Sequence, residues 1–590
     1  MARKRQARAP DTRPVLDPRQ GDIENDASST KRRSMMSLAG SLLVEISLPK
    51  LFLAWTLLLV VPGLLLGLAP IVVSSWLSKV TDKITSLVIG LWSVLLFVGI
   101  LALGWFGWQA LLRMTEKNFW ALNSIVVEPG YAAFREGLRH FAERLLSKRA
   151  SNSTRSKLRA ASAAVAGVLV CALALLVLWL AWPIAYLFGN IAEIDSWREV
   201  VRVALANSVV VISAYLAIAA LIWGFADAAM SQPRNLEAFQ APPSDGRKWR
   251  IAHLSDIHVV GERYGFRIES GRLGPRGNER LKRLLAQLET LHAKNPFEAI
   301  LITGDMTDAG ISAEWAELHD MLRHHPRLAE LVLMLPGNHD LNIVDRANPA
   351  RMDLPTSPNR RLRQIRALSA MSFIQGTRVR VIDLRESCLG QTLEKALEPH
   401  RAEMASFADA AKPVLSNTIP EIWAKAFPMV VPPDRDEGLG IILLNSNADT
   451  HFSFTNALGM VSTEQMRGIG IAQAQYPKAC WVVALHHHVV EYPWAAKAFS
   501  ERIGTALING NWFLRSLQPL SGRAILMHGH RHIDWIGECA GLPIVSAPSP
   551  VMEATDDVDT AFYIHTLAIG RDGRLGLLVP ERVVVAGTSA

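Results

Sequence analysis

Nine residues beyond position 250 have the types and spacing to do chemistry together. "HLSDIH" supplies Asp256 and His258, "LITGDMTD" supplies Asp305 and Asp308, and "LPGNHD" supplies Asn338 and His339. "VALHHH" supplies His486, and "LMHGHRH" supplies His530 and His532. Asp, Asn and His form a mixed oxygen and nitrogen donor set without thiolate, which suits divalent Mn, Fe or Zn. Asp256, His258, Asp305, Asn338, His486, His530 and His532 are more ligands than one tetrahedral zinc needs. They suit two ions ~3.5–4 Å apart that clamp an in-line displacement at phosphorus. Asp-x-His puts both side chains on one face of an extended segment, as does His-x-His at 530–532. One carboxylate must bridge two such ions, and Asp305 is the natural choice. Asn and Gly are also ordinary turn residues, so the corner at Asn338 is a site only if the rest of the chain supports it.

The elements that would position these groups are legible as short apolar runs: "WRIAHLS", "EAILITG", "LVLMLPG", "GIILLNS", "CWVVALH" and "RAILMHG" read as buried strands. Asn278–Lys294 and Ala313–His324 read as helices between them. Every candidate lies at or just after a strand end, where loops bring distant residues into one crevice. Gly304, Gly337 and Gly529 each precede a candidate, allowing tight turns and close backbone approach. The fold class expected is α/β (α+β). The stretch 345–435 breaks the strand–helix rhythm and reads as an insertion or cap, with helical pieces around 361–373 and 392–412.

The ordered set D-x-H, G-D, G-N-H-D, H, G-H-x-H resembles the calcineurin-like metallophosphoesterase superfamily over about residues 249–585. Its closest likeness is to the branch containing the class III cyclic-nucleotide phosphodiesterases. The resemblance implies a β-sandwich flanked by helices, four layers in all, with a dinuclear metal centre. It would assign Asp256, His258 and His532 to the first ion and Asn338, His486 and His530 to the second, with Asp305 between. His339 would meet the substrate or leaving-group oxygen as a catalytic residue. Asp308 matches the carboxylate that orients this histidine in the phosphoprotein phosphatases. Their "GDxVDRG" signature is replaced by "GDMTDAG", which argues against a protein phosphatase. The expected reaction is hydrolysis of a phosphoester, a diester in particular, by attack of metal-bound hydroxide. Two divalent ions (Mn, Fe or Zn) are the expected cofactors.

Other polar groups read more blandly. His487 and His488 stand behind His486 or at the surface, and His528 reads as a partner of the ligands. His253 and His451 read as ordinary hydrogen-bonded histidines. Arg263, Arg267, Arg272 and Arg276 could bind phosphate but read rather as solvated, and "GRLGPRG" lacks the spacing of a nucleotide-binding loop.

The first half of the 590-residue chain has a different character. Four apolar stretches, about 51–77, 84–112, 163–189 and 203–225, are each near or above the ~20 residues that cross a bilayer. Their weak amphipathic periodicity and near absence of charge favour spans over buried core helices. The expected organisation is a basic cytoplasmic tail (1–48) and a four-helix transmembrane region (49–230) with a basic cytoplasmic loop (115–162). A linker (231–248) and the catalytic domain (249–590) follow. The tail is polar and reads as disordered; it lacks a signal-peptide pattern, so the first span reads as an uncleaved anchor. Arg and Lys crowd the tail and the long middle loop, which places both, with the N- and C-termini, in the cytoplasm of an integral protein of a bacterial inner membrane. Within that loop Phe134, Leu138, Phe141 and Leu145 recur at helical spacing among arginines. Such a helix could lie on the membrane surface or pack against the soluble domain. Four scattered cysteines make neither a disulfide framework nor a CxxC metal site. The net charge of +8 fits a basic tail and loop facing anionic lipid.

Two other functions compete with hydrolysis of a small or lipid phosphoester. A non-catalytic membrane sensor or interaction module would be expected to lose metal ligands, and all are present. A nuclease would favour a basic and aromatic strip around the motifs, and none is evident, so no nucleic-acid partner is expected.

Overall fold

The computed structural model describes residues 60–87, 133–145, 152–240, 247–261, 277–344, 358–410, 418–450, 453–494, 505, 507–552, 558–570 and 572–587, with positions 52, 56 and 131. The chain divides into two compact units, one over 47–230 and one over 231–494 and 504–590.

In the first unit three described helices are long and apolar enough to cross a membrane: Val61–Thr81, Thr154–Ile184 and Trp197–Ala228. They match the first, third and fourth expected spans. The second, at 84–112, lies beyond residue 87 outside the described residues. Small residues let these helices approach closely. A Cβ on Gly167 would sit 2.6 Å from the Ala220 carbonyl oxygen and 3.0 Å from the Gly224 Cα. Asn207 supplies polar glue in this unit, donating to the carbonyls of Gly67 (3.0 Å) and Tyr186 (2.9 Å).

The helix Ala133–Leu145 has its expected amphipathic pattern but an inverted placement. Its charged residues Glu136 and Arg139 are buried, whereas Phe134 and Phe141 are exposed. The helix therefore turns its charged side, not its phenylalanines, toward its neighbours. Arg135 Nη1 donates to Asp227 Oδ2 of the last helix at 2.6 Å, and Arg159 Nε donates to Glu143 at 2.7 Å.

The second unit is built on two sheets. The six-stranded sheet holds β2 (Lys248–Leu254), β3 (Ala299–Ile302), β4 (Val332–Met334), β13 (Thr560–Ile569), β14 (Leu575–Leu577) and β15 (Glu581–Val585). The nine-stranded sheet runs in the order β1 (Arg234–Asn235), β11 (Trp535–Cys539), β12 (Leu542–Ser546), β10 (Ala524–His528), β9 (Cys480–Ala484), β8 (Leu439–Leu443), β7 (Met429–Val431), β5 (Arg380–Asp383), β6 (Cys388–Thr392). The central strands β8, β9 and β10 pair in parallel, as do β2, β3 and β4. Residues of both sheets, including Ile300 and Phe562 from one and Ile441, Val482 and Ile525 from the other, enter a single hydrophobic core. Ile442, Val483 and Leu526 on the opposite face are buried too. Burial on both faces explains why these strands read as continuous apolar runs without alternation.

Two regions differ from expectation. The supposed insertion at 345–435 contributes β5, β6 and β7 to the nine-stranded sheet, besides the helices Pro358–Gln375, Leu393–Leu397 and Arg401–Ala410. Its strands β5 and β6, the last two at that end of the sheet, are half exposed, so they carry no apolar run to announce them. The supposed linker supplies β1, which pairs antiparallel with β11.

Candidate metal centre

Parallel strands carry the candidate ligands to one place. Asp256 and His258 follow β2, Asp305 follows β3, and Asn338 and His339 follow β4. His486 follows β9, and His530 and His532 follow β10. Backbone hydrogen bonds lace these loops together: Asp256 N–H to Gly304 O (3.0 Å), His258 N–H to Asp305 O (2.9 Å) and Gly529 N–H to His486 O (3.1 Å).

One cluster forms around His486. Its Nδ1 lies 2.8 Å from the Thr303 carbonyl oxygen, and since a carbonyl can only accept, Nδ1 carries the hydrogen and Nε2 keeps its lone pair. That Nε2 lies 3.1 Å from Asn338 Oδ1, 3.0 Å from His530 Nδ1 and 3.2 Å from Asp305 Oδ2. With His486 neutral, its Nε2 and the Asn338 and Asp305 oxygens are three converging acceptors, which a cation placed between them would reconcile. Two ligands ~2.1 Å from one ion and at right angles to it stand ~3 Å apart, so the spacings fit a shared divalent ion. Burial opposes protonation of His486, yet Asp305 raises its pKa above the ordinary imidazole value. Burial likewise opposes ionisation of Asp305, and His486 and His339 overcome it and hold the carboxyl well below the usual range.

A second cluster sits beside it. Asp256 Oδ1 lies 3.3 Å from His532 Nε2, and His258 Nε2 lies 3.8 Å from Asp305 Oδ2. Asp256, His258 and His532 offer ligand atoms within reach of one ion, as do Asp305, His486 and His530. Asp305 Oδ2 therefore faces a histidine of each cluster. His339 adjoins both: its backbone N–H donates to Asp305 Oδ1 at 2.8 Å, and its ring meets that of His258 edge-on at 4.4 Å. The donor set fits two divalent ions bridged by one carboxylate.

Residues 250–382 match the calcineurin-like phosphoesterase family. No curated protein matches the chain. Among solved structures the chain is similar to a purple acid phosphatase from yellow lupin, Lupinus luteus (13% identity, 55% of this chain and 50% of that chain, TM-score 0.26). It is also similar to PhoD (9%, 59% and 70%, 0.30). A third similar structure is the NAD nucleotidase of Haemophilus influenzae (11%, 58% and 57%, 0.28). The chain thus spans about half the length of the lupin and Haemophilus proteins, and scores this low carry no argument about activity.

The second unit stores backbone strain at the candidate ligands. Asp256, His258, Asp305, His530 and His532 all have positive φ, between 49° and 77°, and only Ser387 and Ala540 share that feature among the other described non-glycine residues. Such conformations are costly for residues with a Cβ and persist where surrounding structure enforces them. Close approach explains two glycines. A Cβ on Gly337 would collide with the Asp305 backbone and carboxylate, and one on Gly529 would collide with Ser255 and Asp256.

Asp308 meets His339 by a different route from the one expected. Its backbone carbonyl oxygen, not its carboxylate, lies 2.7 Å from His339 Nδ1, while its carboxylate Oδ1 lies 3.5 Å from His258 Nδ1. The loop turns so that one residue orients two imidazoles, with backbone for one and side chain for the other. His487 and His488 are both buried; His487 Nδ1 lies 2.9 Å from Ser446 Oγ. His528 is buried beside the ligands. His253 is buried too, 3.0 Å from Thr303 Oγ1. The four arginines at 263–276 and His451 fall outside the described residues.

Asp340 is a supporting residue that sequence reading left without a role. Its carboxylate accepts from Gly337 N–H (2.8 Å), Thr307 N–H (2.9 Å) and Thr307 Oγ1 (2.6 Å). It therefore ties the Asp305 loop to the Asn338 corner. Burial, and then the nearby Asp305 charge, push its pKa up to about 6. Ser446 at the end of β8 does similar work, its Oγ accepting from the N–H groups of His486 and His487, each at 3.1 Å. Neither partnership leaves a local signal, because each joins loops 30 or more residues apart.

Proposed function

We propose that this chain is a membrane-held, dinuclear-metal hydrolase of phosphoesters, acting on phosphodiesters. The observation that carries the reading is the convergence of Asn338 Oδ1, Asp305 Oδ2 and His486 Nε2, three acceptors that a cation reconciles. Asp256, His258 and His532 would hold one ion and Asn338, His486 and His530 the other, with Asp305 between them. The oxygen and nitrogen donors suit Mn, Fe or Zn. Two such ions supply Lewis acidity, activating water and neutralising charge on the phosphoryl oxygens.

The chain's own residues do the rest. His339, with Nδ1 committed to the Asp308 carbonyl, has Nε2 left to carry a proton to the departing oxygen, the work of a general acid. Asp305 holds the His339 backbone through its other oxygen, which ties the proposed proton donor to the proposed bridge. His532 is the exposed member of the ligand set and marks the side from which substrate and metal enter. The preference for a diester rests on the likeness of the motif set to the cyclic-nucleotide phosphodiesterase branch. The three apolar helices support membrane attachment, and the basic tail and loop support cytoplasmic termini and a cytoplasmic catalytic domain.

The test is a substrate panel on the full chain, purified in detergent and loaded with Mn. Cyclic nucleotides, lipid phosphodiesters, nucleotide-sugar lipids and aryl mono- and diesters would be compared. Faster cleavage of diesters is expected. A preference for monoesters would overturn the diester assignment, and no cleavage of any ester by metal-loaded protein would overturn the hydrolase reading.

A further inference from the structure

The helix Ala133–Leu145 is oriented in a way that water alone does not explain. In water an amphipathic helix buries its apolar stripe and exposes its charges. Here Glu136 is 2% and Arg139 8% exposed, whereas Phe134 is 40% and Phe141 65% exposed. Seven residues apart, the two phenylalanines share one face of the helix. Gly137 lies between them, with open space where its side chain would be.

The buried side is held by charge-assisted hydrogen bonds. Glu136 Oε1 accepts from Arg135 Nε and Arg139 Nη1, each at 2.8 Å. Asp227 Oδ2 accepts from Arg135 Nη1 at 2.6 Å and Tyr131 Oη at 2.9 Å. Arg159 Nε donates to Glu143 at 2.7 Å, with both side chains almost wholly buried. Leu138 packs against the cluster of Tyr131, Ala166 and Ala219. These contacts fix the helix to the ends of two apolar helices, 152–181 and 197–228, and so fix which side looks outward. The outward side is apolar in the middle, with exposed Arg144 at its end and exposed Lys157 on the adjoining helix. Lys148 and Arg149 lie in the intervening sequence. An apolar stripe flanked by cations matches the boundary between acyl chains and anionic headgroups.

We propose that helix 133–145 lies in the membrane interface, seating Phe134 and Phe141 at the acyl–headgroup boundary of an anionic leaflet. This rests on the reading of the apolar helices as membrane spans. Asp227 then joins the interfacial helix to the last span, the one that leads into residue 231 and the phosphoesterase domain. The helix would set the depth of that span.

Lipid-borne photolabelling tests this on the full chain, reconstituted into vesicles of equal parts phosphatidylcholine and phosphatidylglycerol. One lipid probe carries a diazirine near the glycerol end of its acyl chain and another carries it at the methyl end. Adducts are mapped by peptide mass spectrometry. The shallow probe is expected to label Phe134 and Phe141, and the deep probe the middles of helices 154–184 and 197–228. Phe134→Ser with Phe141→Ser should lower shallow labelling of this helix several-fold and leave deep labelling of the spans intact. Labelled spans with an unlabelled helix would overturn the interfacial placement while sparing the membrane reading. A water-soluble diazirine would then show whether the face meets water or is covered by protein. Spans that escape the deep probe would overturn the membrane reading, and this inference with it.

Discussion

His339 and Asp308 separate holding metal from moving a proton. His339 has its Nδ1 on a backbone carbonyl and its N–H on Asp305, and the proposed ligand set does not need it. His339→Ala should therefore leave metal content intact and slow hydrolysis by roughly 10²–10⁴-fold, the usual worth of a general acid. The loss should shrink for esters with acidic leaving groups; equal losses on two esters of different leaving-group pKa would refute proton donation. Asp308→Asn should act differently, because its carboxylate faces His258 while its carbonyl holds His339. Outer partners of metal ligands are typically worth 10–100-fold in metal affinity. A metal titration of Asp308→Asn should show that weakening, with the leaving-group dependence of the rate unchanged. The candidate ligands were legible because metal chemistry restricts residue types and strand ends restrict spacing. The Asp308 carbonyl was not, because a backbone group has no identity in a sequence. Nor was Asp340, whose partners Thr307 and Gly337 are set by loop geometry.

At the level of elements, the segment 345–435 has work beyond extending a sheet. Arg363 on helix Pro358–Gln375 is 1% exposed, and its Nε donates to the Leu341 carbonyl at 2.8 Å. Arg366 Nη1 donates to the Gly310 carbonyl at 3.3 Å. These carbonyls close the His339 corner and the Asp308 loop. Arg363→Met would strand a buried acceptor, so a stability loss of about 1–3 kcal/mol is expected, measured by denaturant unfolding of the detergent-purified chain. Turnover should fall with metal content unchanged, and Arg363→Lys should recover part of it. Unaltered turnover in a destabilised variant would make Arg363 structural only. The six apolar strands were readable because burial on both faces leaves little but Val, Ile, Leu and Ala. Strands β5 and β6 were not, since "RVID" and "CLGQT" mix exposed and half-buried positions. The helix at 133–145 was visible by its period, but its orientation was not, because its outward side is set by ion pairs to residues 159 and 227.

On the scale of the whole molecule, hydropathy separates a helical unit from an α/β unit with two parallel-centred sheets. The proposed topology puts both termini in the cytoplasm, following the usual preference of Lys and Arg for that side. A reporter fused after Ala590 should be active in the cytoplasm, and activity confined to the far side would reverse the topology.

The central claim is that one carboxylate, Asp305, joins two ions into a single hydrolytic centre. Its most direct test is a Mn titration of metal-stripped native chain and of Asp305→Ala, recording bound metal per chain and diester hydrolysis on the same samples. The native chain should bind two equivalents, with hydrolysis rising as they bind. Asp305→Ala should lose metal and hydrolysis together. Two tightly bound ions and undiminished hydrolysis in Asp305→Ala, or full hydrolysis by the stripped native chain, would contradict the claim.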